Sequence, residues 1–542
     1  MNKIYFTLLA VMCSLLAFSQ PQTIAESSNF ESTSRESDVL SFISNISKKS
    51  QNIKVETIGI STEGRQIPLM IIANPMIKSP QSLANDPRMV LYIQANIHAG
   101  EVEGKEATQM FARELLFGTR KDLLKNIIFL ICPNFNPDGN EAISTKNRTH
   151  QNGPKNGVGL RSNGQMLDIN RDAMKLETPE MNGLLKNVLL KWDPQVTVDC
   201  HTTNGSYHEE PVTFSWMMNC AGDRSLMDYM EKQMMPKVSA VLSDKYKTEN
   251  CFYGEFIDMK NPEKGWIEYA SEPRYLTNYI GVRNRLSILN ENYVYADYKT
   301  RVLGCYSLLQ SISDYCAGHN TEIKQLIATS DKRTISRGEN PAPNDSFPIE
   351  YVGKPLDKKI TIKTFEVEPA KDTTGYEDYV PTNRKKTVEV PYIATYVPTK
   401  SVKLPFAYLI KLADPIVVNL LQRHGISVSK LSKIQQFEVE SFRMTGLVPE
   451  KRLNQGHYLH SATGSWKTEK KEFNAGTYVI RTSQPLANLV CYLLEPQSND
   501  GILTWNFLDR YLLPQWERGF NPYPIYKILK PVKIEDTVLT SL

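Results

Sequence analysis

Three side chains able to bind a metal stand in two short stretches about a hundred residues apart. His98 and Glu101 lie in Asn96-Ile97-His98-Ala99-Gly100-Glu101, and His201 closes Val198-Asp199-Cys200-His201. Two imidazoles and a carboxylate, with a fourth position left to water, are the donor set of a catalytic zinc ion, whereas structural zinc is usually closed by cysteines. The cysteines of this chain are not spaced for that. A His followed three residues later by a Glu is a weak signal alone, so the elements that carry these residues must decide.

Residues 88–93 are rich in β-branched and aromatic side chains and read as a buried strand, with His98 just beyond its end. From Glu101 to Leu116 the pattern turns helical, with Ala107, Met110, Phe111 and Leu115 on one face and Gly118 as the stop. His98 and Glu101 therefore flank a strand-to-helix turn. Open α/β sheets bind ligands beyond the carboxyl ends of their strands, where such turns sit. Residues 196–198 form a second short strand that delivers His201 to a similar edge.

Further segments fall in the same order and spacing as in the zinc carboxypeptidase family typified by carboxypeptidases A and B, which the chain resembles over about residues 30–320. They are Gly59-Ile60-Ser61-Thr62-Glu63-Gly64-Arg65, the His98/Glu101 pair, Asn136-Pro137-Asp138-Gly139, Asp168-Ile169-Asn170-Arg171, His201, and Glu291 in Ser287-Ile288-Leu289-Asn290-Glu291. The resemblance implies an α/β fold: a mixed, mostly parallel twisted sheet flanked by helices. It implies one Zn2+ per chain on His98, Glu101 and His201.

It implies roles for other residues as well. Glu291, at the mouth of a strand, would be the general base that takes the proton of a metal-activated water and passes it to the leaving nitrogen. Arg161 would face the developing oxyanion, with Arg148 as its rival. Asn170 and Arg171 would bind a substrate's terminal carboxylate, since a guanidinium fork matches a carboxylate in two-point contact. The substrate is then a peptide with a free C-terminal carboxylate.

The chain also departs from the pancreatic pattern. Gly100 stands where those enzymes have an arginine, which removes one carboxylate contact. The tyrosine that caps the substrate has only the competing candidates Tyr269, Tyr275 and Tyr279. Arg274, Arg283 and Arg285 cluster beyond them and read as structural or solvated arginines.

Residues 1–19 have a basic start, an apolar stretch from Ile4 to Phe18 and small residues before Gln20, which reads as a secretory signal peptide. The mature protein is expected to be exported, periplasmic or secreted. No later segment has the roughly twenty uninterrupted apolar residues needed to span a membrane. Cys220 and Cys251 form a conceivable disulfide, while Cys132 and Cys200 read as packed thiols on buried strands, Cys200 facing away from its neighbour His201. Only short material precedes the catalytic region, so a folded inhibitory pro-segment is not expected.

The length demands a second unit. The expected division is a catalytic domain over 20–320, a polar, Pro-containing linker with β-strands over 321–400, and a smaller mixed α/β or β-rich domain over 401–542. In the last, residues 415–424 read as a helix and residues 435–442, 476–482 and 489–494 as strands. His457 and His460 read as loop positions, and His208 as part of an exposed insertion. A net charge of +4 with both signs interspersed gives no reason to expect a nucleic-acid partner. The oligomeric state is left open.

Three functions fit these observations. The first is a zinc metallocarboxypeptidase acting on peptides. The second is a zinc amidase on cell-wall peptides or acylated amino acids, and the third a peptide-binding protein without catalysis. The intact set of His98, Glu101, His201 and Glu291 counts against the third.

Overall fold

A computed structural model of the chain describes residues 20–268, 271–371, 377–516 and 518–540. The signal-peptide reading of residues 1–19 and the candidate Tyr269 lie outside the described residues.

The main sheet is built from β1 (Ile53–Ile60), β2 (Gln66–Ile72), β3 (Met89–Ala95), β4 (Ile127–Cys132), β5 (Val196–Thr203), β6 (Val212–Trp216), β7 (Asn250–Phe252) and, after two short strands β8 (Glu255–Phe256) and β9 (Trp266–Ile267), β10 (Leu286–Tyr293). Their spatial order is β1-β2-β4-β3-β5-β10-β6-β7. The pairs β4/β3, β3/β5, β5/β10 and β6/β7 are parallel, and β1/β2, β2/β4 and β10/β6 are antiparallel. This is the mixed α/β sheet expected.

The central strands are apolar on both sides because helices cover both faces. Along β3, Leu91 and Ile93 join one core layer with Phe111, Phe129 and Ile312, while Val90 and Tyr92 point into the other with Met181, Leu184 and Tyr279. The first layer is capped by α1 (Glu36–Ser47), α2 (Glu103–Phe117) and the long α5 (Tyr298–Gly318), which follow in chain order with α3 (Met235–Asp244) and α4 (Leu276–Val282) between. Gly104 lets α2 come close to β5, since a Cβ there would lie 2.4 Å from the Cβ of Cys200. Cys200 thus faces α2 and not the side of His201.

The segment expected as a linker is ordered structure. It contains the helix α6 (Asn320–Glu339), whose Ile323 and Ile327 are buried, and four strands: β11 (Ser346–Pro355), β12 (Ile360–Lys371), β13 (Glu377–Val390) and β14 (Tyr392–Lys403). β14 pairs with β11 on one side and with β9 on the other, giving the order β11-β14-β9-β8, and β12 pairs with β13 as a hairpin. Helical spacing of a few apolar residues in a polar background hid α6, whereas the alternation of Ile360, Ile362 and Phe365 with Lys and Thr is the strand pattern expected in this segment, and it falls on β12.

The last part forms a seven-stranded sheet from β15 (Ala407–Ile410), β16 (Ser429–Leu431), β17 (Gln435–Pro449), β18 (His460–Phe473), β19 (Tyr478–Arg481), β20 (Ile525–Ile528) and β21 (Asp536–Val538), in the order β18-β17-β20-β15-β19-β16-β21. Helices α7 (Ile416–Arg423) and α8 (Ala487–Leu494) pack with it. Residues 489–494, expected as a strand, are therefore helical, as a short apolar run can be in either state. Leu420, Leu489 and Tyr492 share one core layer with Val90, Tyr92 and Tyr279, so apolar packing is continuous between the two sheets. No described helix is long and apolar enough to cross a membrane.

Candidate active site

β3, β5 and β10 are adjacent and parallel, so their carboxyl ends open on one crevice. β3 is followed by Asn96, whose left-handed φ of 67° turns the chain towards His98. An Asn tolerates that conformation better than most residues, and its side chain is fixed by bonds from Nδ2 to Asn134 Oδ1 (2.6 Å) and Asn140 Oδ1 (3.1 Å). The Asn-Pro-Asp-Gly segment is part of this frame. Asn136 caps its own short helix by accepting from Gly139 N (3.0 Å) and donates to Ile97 O (3.2 Å), and Asp138 accepts from Ser61 Oγ (2.6 Å) and Arg65 Nη1 (2.7 Å).

The structure brings His98, Glu101 and His201 together, with one donor atom from each inside 4.8 Å of the others, all three buried. His98 Nδ1 is 3.1 Å from Glu101 Oε1, His201 Nδ1 is 2.9 Å from Glu101 Oε2, and the two Nδ1 atoms are 3.2 Å apart. The opposite ring nitrogens meet carboxylates. His98 Nε2 lies 2.9 Å from Asp168 Oδ1 and His201 Nε2 lies 2.9 Å from Asp199 Oδ2. Such outer carboxylates fix the ring orientation and raise the basicity of a metal-binding imidazole. Asp199 and Asp168 are the supporting residues that sequence reasoning did not single out, although both stand within or beside the motifs quoted for their neighbours.

Charge is tightly balanced here. Burial opposes ionisation of Glu101, yet His98 and Arg148 hold its carboxyl well below the usual range. Burial likewise opposes a charged His201, yet Asp199 and Glu101 hold it well above its ordinary value. Two imidazoles and one carboxylate pressed together, with their outer edges anchored, are a donor set suited to a divalent zinc ion.

Glu291 stands on β10 in register with His201 on β5. Burial pushes its carboxyl up to about 8, against the pull of His201. The side chain itself keeps a partly exposed edge, which borders a cavity of about 270 Å³. Arg148, Arg161, Asn170, Arg171 and Tyr275 line the same cavity.

The two rival arginines are held differently. Arg148 donates to Glu101 Oε1 (2.9 Å), Thr202 O (2.8 Å) and Gln151 Oε1 (2.8 Å). Arg161 bonds Asp168 Oδ2 through Nε (3.0 Å), reaches Glu101 Oε1 at 3.4 Å, and is 42% exposed along its side chain. Gly100, noted as a departure, is what admits Arg148: a Cβ there would lie 2.5 Å from Arg148 Cδ.

Asn170 accepts from Leu276 N on its Oδ1 (2.9 Å), which leaves its amide NH2 as the group it can offer. The Arg171 guanidinium lies over the Tyr275 ring, 4.3 Å from the centroid. Tyr279 is buried elsewhere and donates to His424 Nδ1 (2.7 Å). Arg274, Arg283 and Arg285 are structural: they pair with Asp500, the carbonyl of His424, and Asp193 with Asp331. Sequence reading missed Tyr253, Glu255 and Glu268, which also line the cavity. β8, which carries Glu255, and β9, which ends just before Glu268, are two residues each and have no periodicity to detect.

Other expectations are settled by burial and pairing. His457 meets Glu177 at 2.8 Å and His460 meets Asp509 at 3.2 Å, so each ring is engaged by a carboxylate. His208 is not in an exposed insertion but buried. Cys220 and Cys251 are free thiols, as are the other described cysteines.

Comparison with known proteins finds similarity to carboxypeptidases. The zinc carboxypeptidase family model matches residues 39–217. Carboxypeptidase 2 of Trichophyton rubrum is 21% identical over 523 residues, covering 91% of this chain and 89% of its own length. Carboxypeptidase 2 of Trichophyton equinum is 21% identical over 492 residues, 86% of this chain and 81% of its own. Among solved structures, carboxypeptidase A of Helicoverpa armigera aligns at 16% identity with a TM-score of 0.40, covering 53% of this chain and 75% of that one. The metallo-carboxypeptidase of Burkholderia cenocepacia aligns at 17% identity with a TM-score of 0.38, covering 52% and 68%. On the family match over residues 39–217 and the carboxypeptidase 2 relatives that extend along most of the sequence, the chain is similar to zinc carboxypeptidases.

Proposed function

We propose that the protein is a zinc-dependent metallocarboxypeptidase that hydrolyses the C-terminal amide bond of peptides outside the cytoplasm. The observation that carries this reading is the convergence of His98, Glu101 and His201 beside Glu291 in one cleft that also contains Asn170 and Arg171.

His98 and His201 would hold Zn2+ through Nδ1 and Glu101 through its carboxylate, with Asp168 and Asp199 orienting the rings. The bound ion would supply an acidified water and a polarised scissile carbonyl. Glu291 takes the water's proton and delivers it to the leaving nitrogen. Its desolvated carboxylate is a stronger base than one in free solvent, as a general base near neutral pH requires. Arg161 faces the oxyanion: its guanidinium is anchored by Asp168 and more loosely by Glu101, and its side chain stays 42% exposed, whereas Arg148, 18% exposed, is committed to three acceptors. Arg171 and the Asn170 amide receive the substrate's terminal carboxylate, and the face contact with Tyr275 leaves for hydrogen bonding the N–H groups of Arg171 other than the one that Nη1 donates to Asn170 O (2.9 Å).

The test is a mixed pool of peptides with free and amidated C-termini, read by mass spectrometry. Loss of single C-terminal residues from the free acids alone supports the reading. Internal cleavage, or processing of cell-wall fragments while ordinary peptides survive, rejects it in favour of an endopeptidase or an amidase.

A further inference from the structure

Behind the cleft a second group of donor side chains converges. His208 lies on the loop that leaves β5, Glu210 follows two residues later, and Cys251 is the middle residue of edge strand β7. One donor atom from each lies within 4.8 Å of the others. The residues are 3%, 4% and 8% exposed.

Two of these donors have no hydrogen-bond partner: His208 Nδ1 and Glu210 Oε2. They face each other at 3.6 Å, beyond hydrogen-bonding distance. Rearrangement cannot easily bring them together, because the rest of each side chain is fixed. Glu210 Oε1 accepts from Lys363 N (3.0 Å). The His208 ring stacks on Tyr293 at 3.8 Å and 27°, with Trp266 against its edge, and its backbone N–H donates to the Tyr293 hydroxyl (3.1 Å). Buried polar atoms are nearly always paired, so two orphans aimed at one point mark the place of a missing partner.

We propose that His208, Glu210 and Cys251 form a second metal site, separate from the catalytic centre, that takes a divalent ion of the zinc class through Nδ1, one carboxylate oxygen and Sγ. With Zn–N and Zn–O bonds of about 2.0–2.2 Å and Zn–S of about 2.3 Å, tetrahedral donors stand about 3.3–3.6 Å apart, which the His208–Glu210 gap matches. A mixed nitrogen, oxygen and sulfur set excludes calcium and magnesium, which take oxygen donors. The cation would ionise the Cys251 thiol and supply the charge that buried Glu210 needs. Three protein donors leave the fourth place to water.

The site is a staple. It joins the β5–β6 loop to β7, and the same loop is tied to the β12–β13 hairpin by Glu209 N to Lys363 O (2.8 Å) and Thr364 Oγ1 to Tyr207 O (2.5 Å). Tyr293, on which His208 rests, is the last residue of the strand that carries Glu291.

Metal content of the purified full-length chain, zinc-loaded and desalted, tests this. Two equivalents are expected in the wild type, and one each in His201→Ala and Cys251→Ser. Cobalt loading of the wild type gives an independent readout that needs no substitution, since the catalytic donors include no sulfur. A thiolate-to-cobalt charge-transfer band is expected in the wild type and in His201→Ala, and is lost in Cys251→Ser. One equivalent in the wild type that vanishes in His201→Ala, or a cobalt spectrum of the wild type without the sulfur band, overturns the proposal.

Discussion

Glu291 stands directly across from His201 in the parallel pairing of β10 with β5, so two neighbouring strands bring a carboxylate and an imidazole to one level of the cleft. If Glu291 moves the proton, removing its charge while keeping its shape must stop the reaction and spare the metal. Glu291→Gln is expected to lower kcat by about 10²–10⁴-fold with zinc content unchanged. Persistent activity in the zinc-loaded variant would refute Glu291 as the base.

Gly100 and Arg148 are coupled by contact. Arg148 occupies the space above Gly100, and its backbone is itself left-handed at φ 48°, which limits how far it can withdraw. Gly100→Ala is expected to lift the guanidinium off Glu101, costing about 1–3 kcal/mol of stability and about 10-fold or more in zinc affinity. Melting temperature and competitive zinc titration measure the two effects. An unchanged affinity would mean that the Arg148–Glu101 contact does not support the metal.

Arg171 should distinguish a free carboxylate from an amide. Charge-assisted hydrogen bonds contribute about 1.5–3 kcal/mol, so Arg171→Ala is expected to lose about 10–100-fold in kcat/KM on free-acid peptides and much less on amidated ones. Equal losses on both would place the terminal carboxylate elsewhere.

His424 joins the C-terminal helix α7 to the catalytic body. Its Nδ1 accepts from Tyr279 and its Nε2 donates to Met174 O (3.2 Å). Burial, reinforced by Arg283, pushes it down from 6.5 to about 3. The folded chain keeps this ring neutral while the unfolded chain protonates it below 6.5. Its stabilising contribution is therefore complete above about pH 6.5 and is lost as pH falls towards 3, at up to about 1.4 kcal/mol per unit. Thermal unfolding between pH 7 and 5 should show a steeper loss in the wild type than in His424→Gln. Parallel profiles would contradict the assignment.

Gln455 reaches Asp168 from the β17–β18 hairpin, where its Oε1 accepts from Asp168 N at 2.7 Å. Asp168 in turn orients His98 and Arg161. Gln455→Ala is expected to cost about 0.5–1.5 kcal/mol and to raise KM with little change in kcat. Steady-state kinetics that match the wild type would show that the hairpin only rests there.

Much of this arrangement was legible in the residues because its signals are local. The apolar runs of β3 and β5, the turn into α2 and the His98/Glu101 spacing each lie within a few positions. What was not legible depends on distant partners. Glu103, Lys105 and Glu106 stand in the first turn of α2, and nothing local in the sequence shows that all three are buried and paired, Glu106 with Thr33 and Ser34 and Lys105 with Asn140. His208 looked exposed because its loop is polar, but Tyr293, Trp266 and the β12–β13 hairpin, all distant in sequence, pack around it. Residues 489–494 are apolar on every side, so periodicity could not separate helix from strand.

The pairing of β14 with Trp266 and Ile267 has a consequence for biosynthesis. A ribosome that has released the chain up to residue 340 has delivered every side chain of the proposed centre, but not the strand on which β9 must lie beside Glu268. Competence is thereby deferred until translation has passed Lys403. A gene fragment cut near residue 340 would yield the reactive groups without the strand against which β9 pairs.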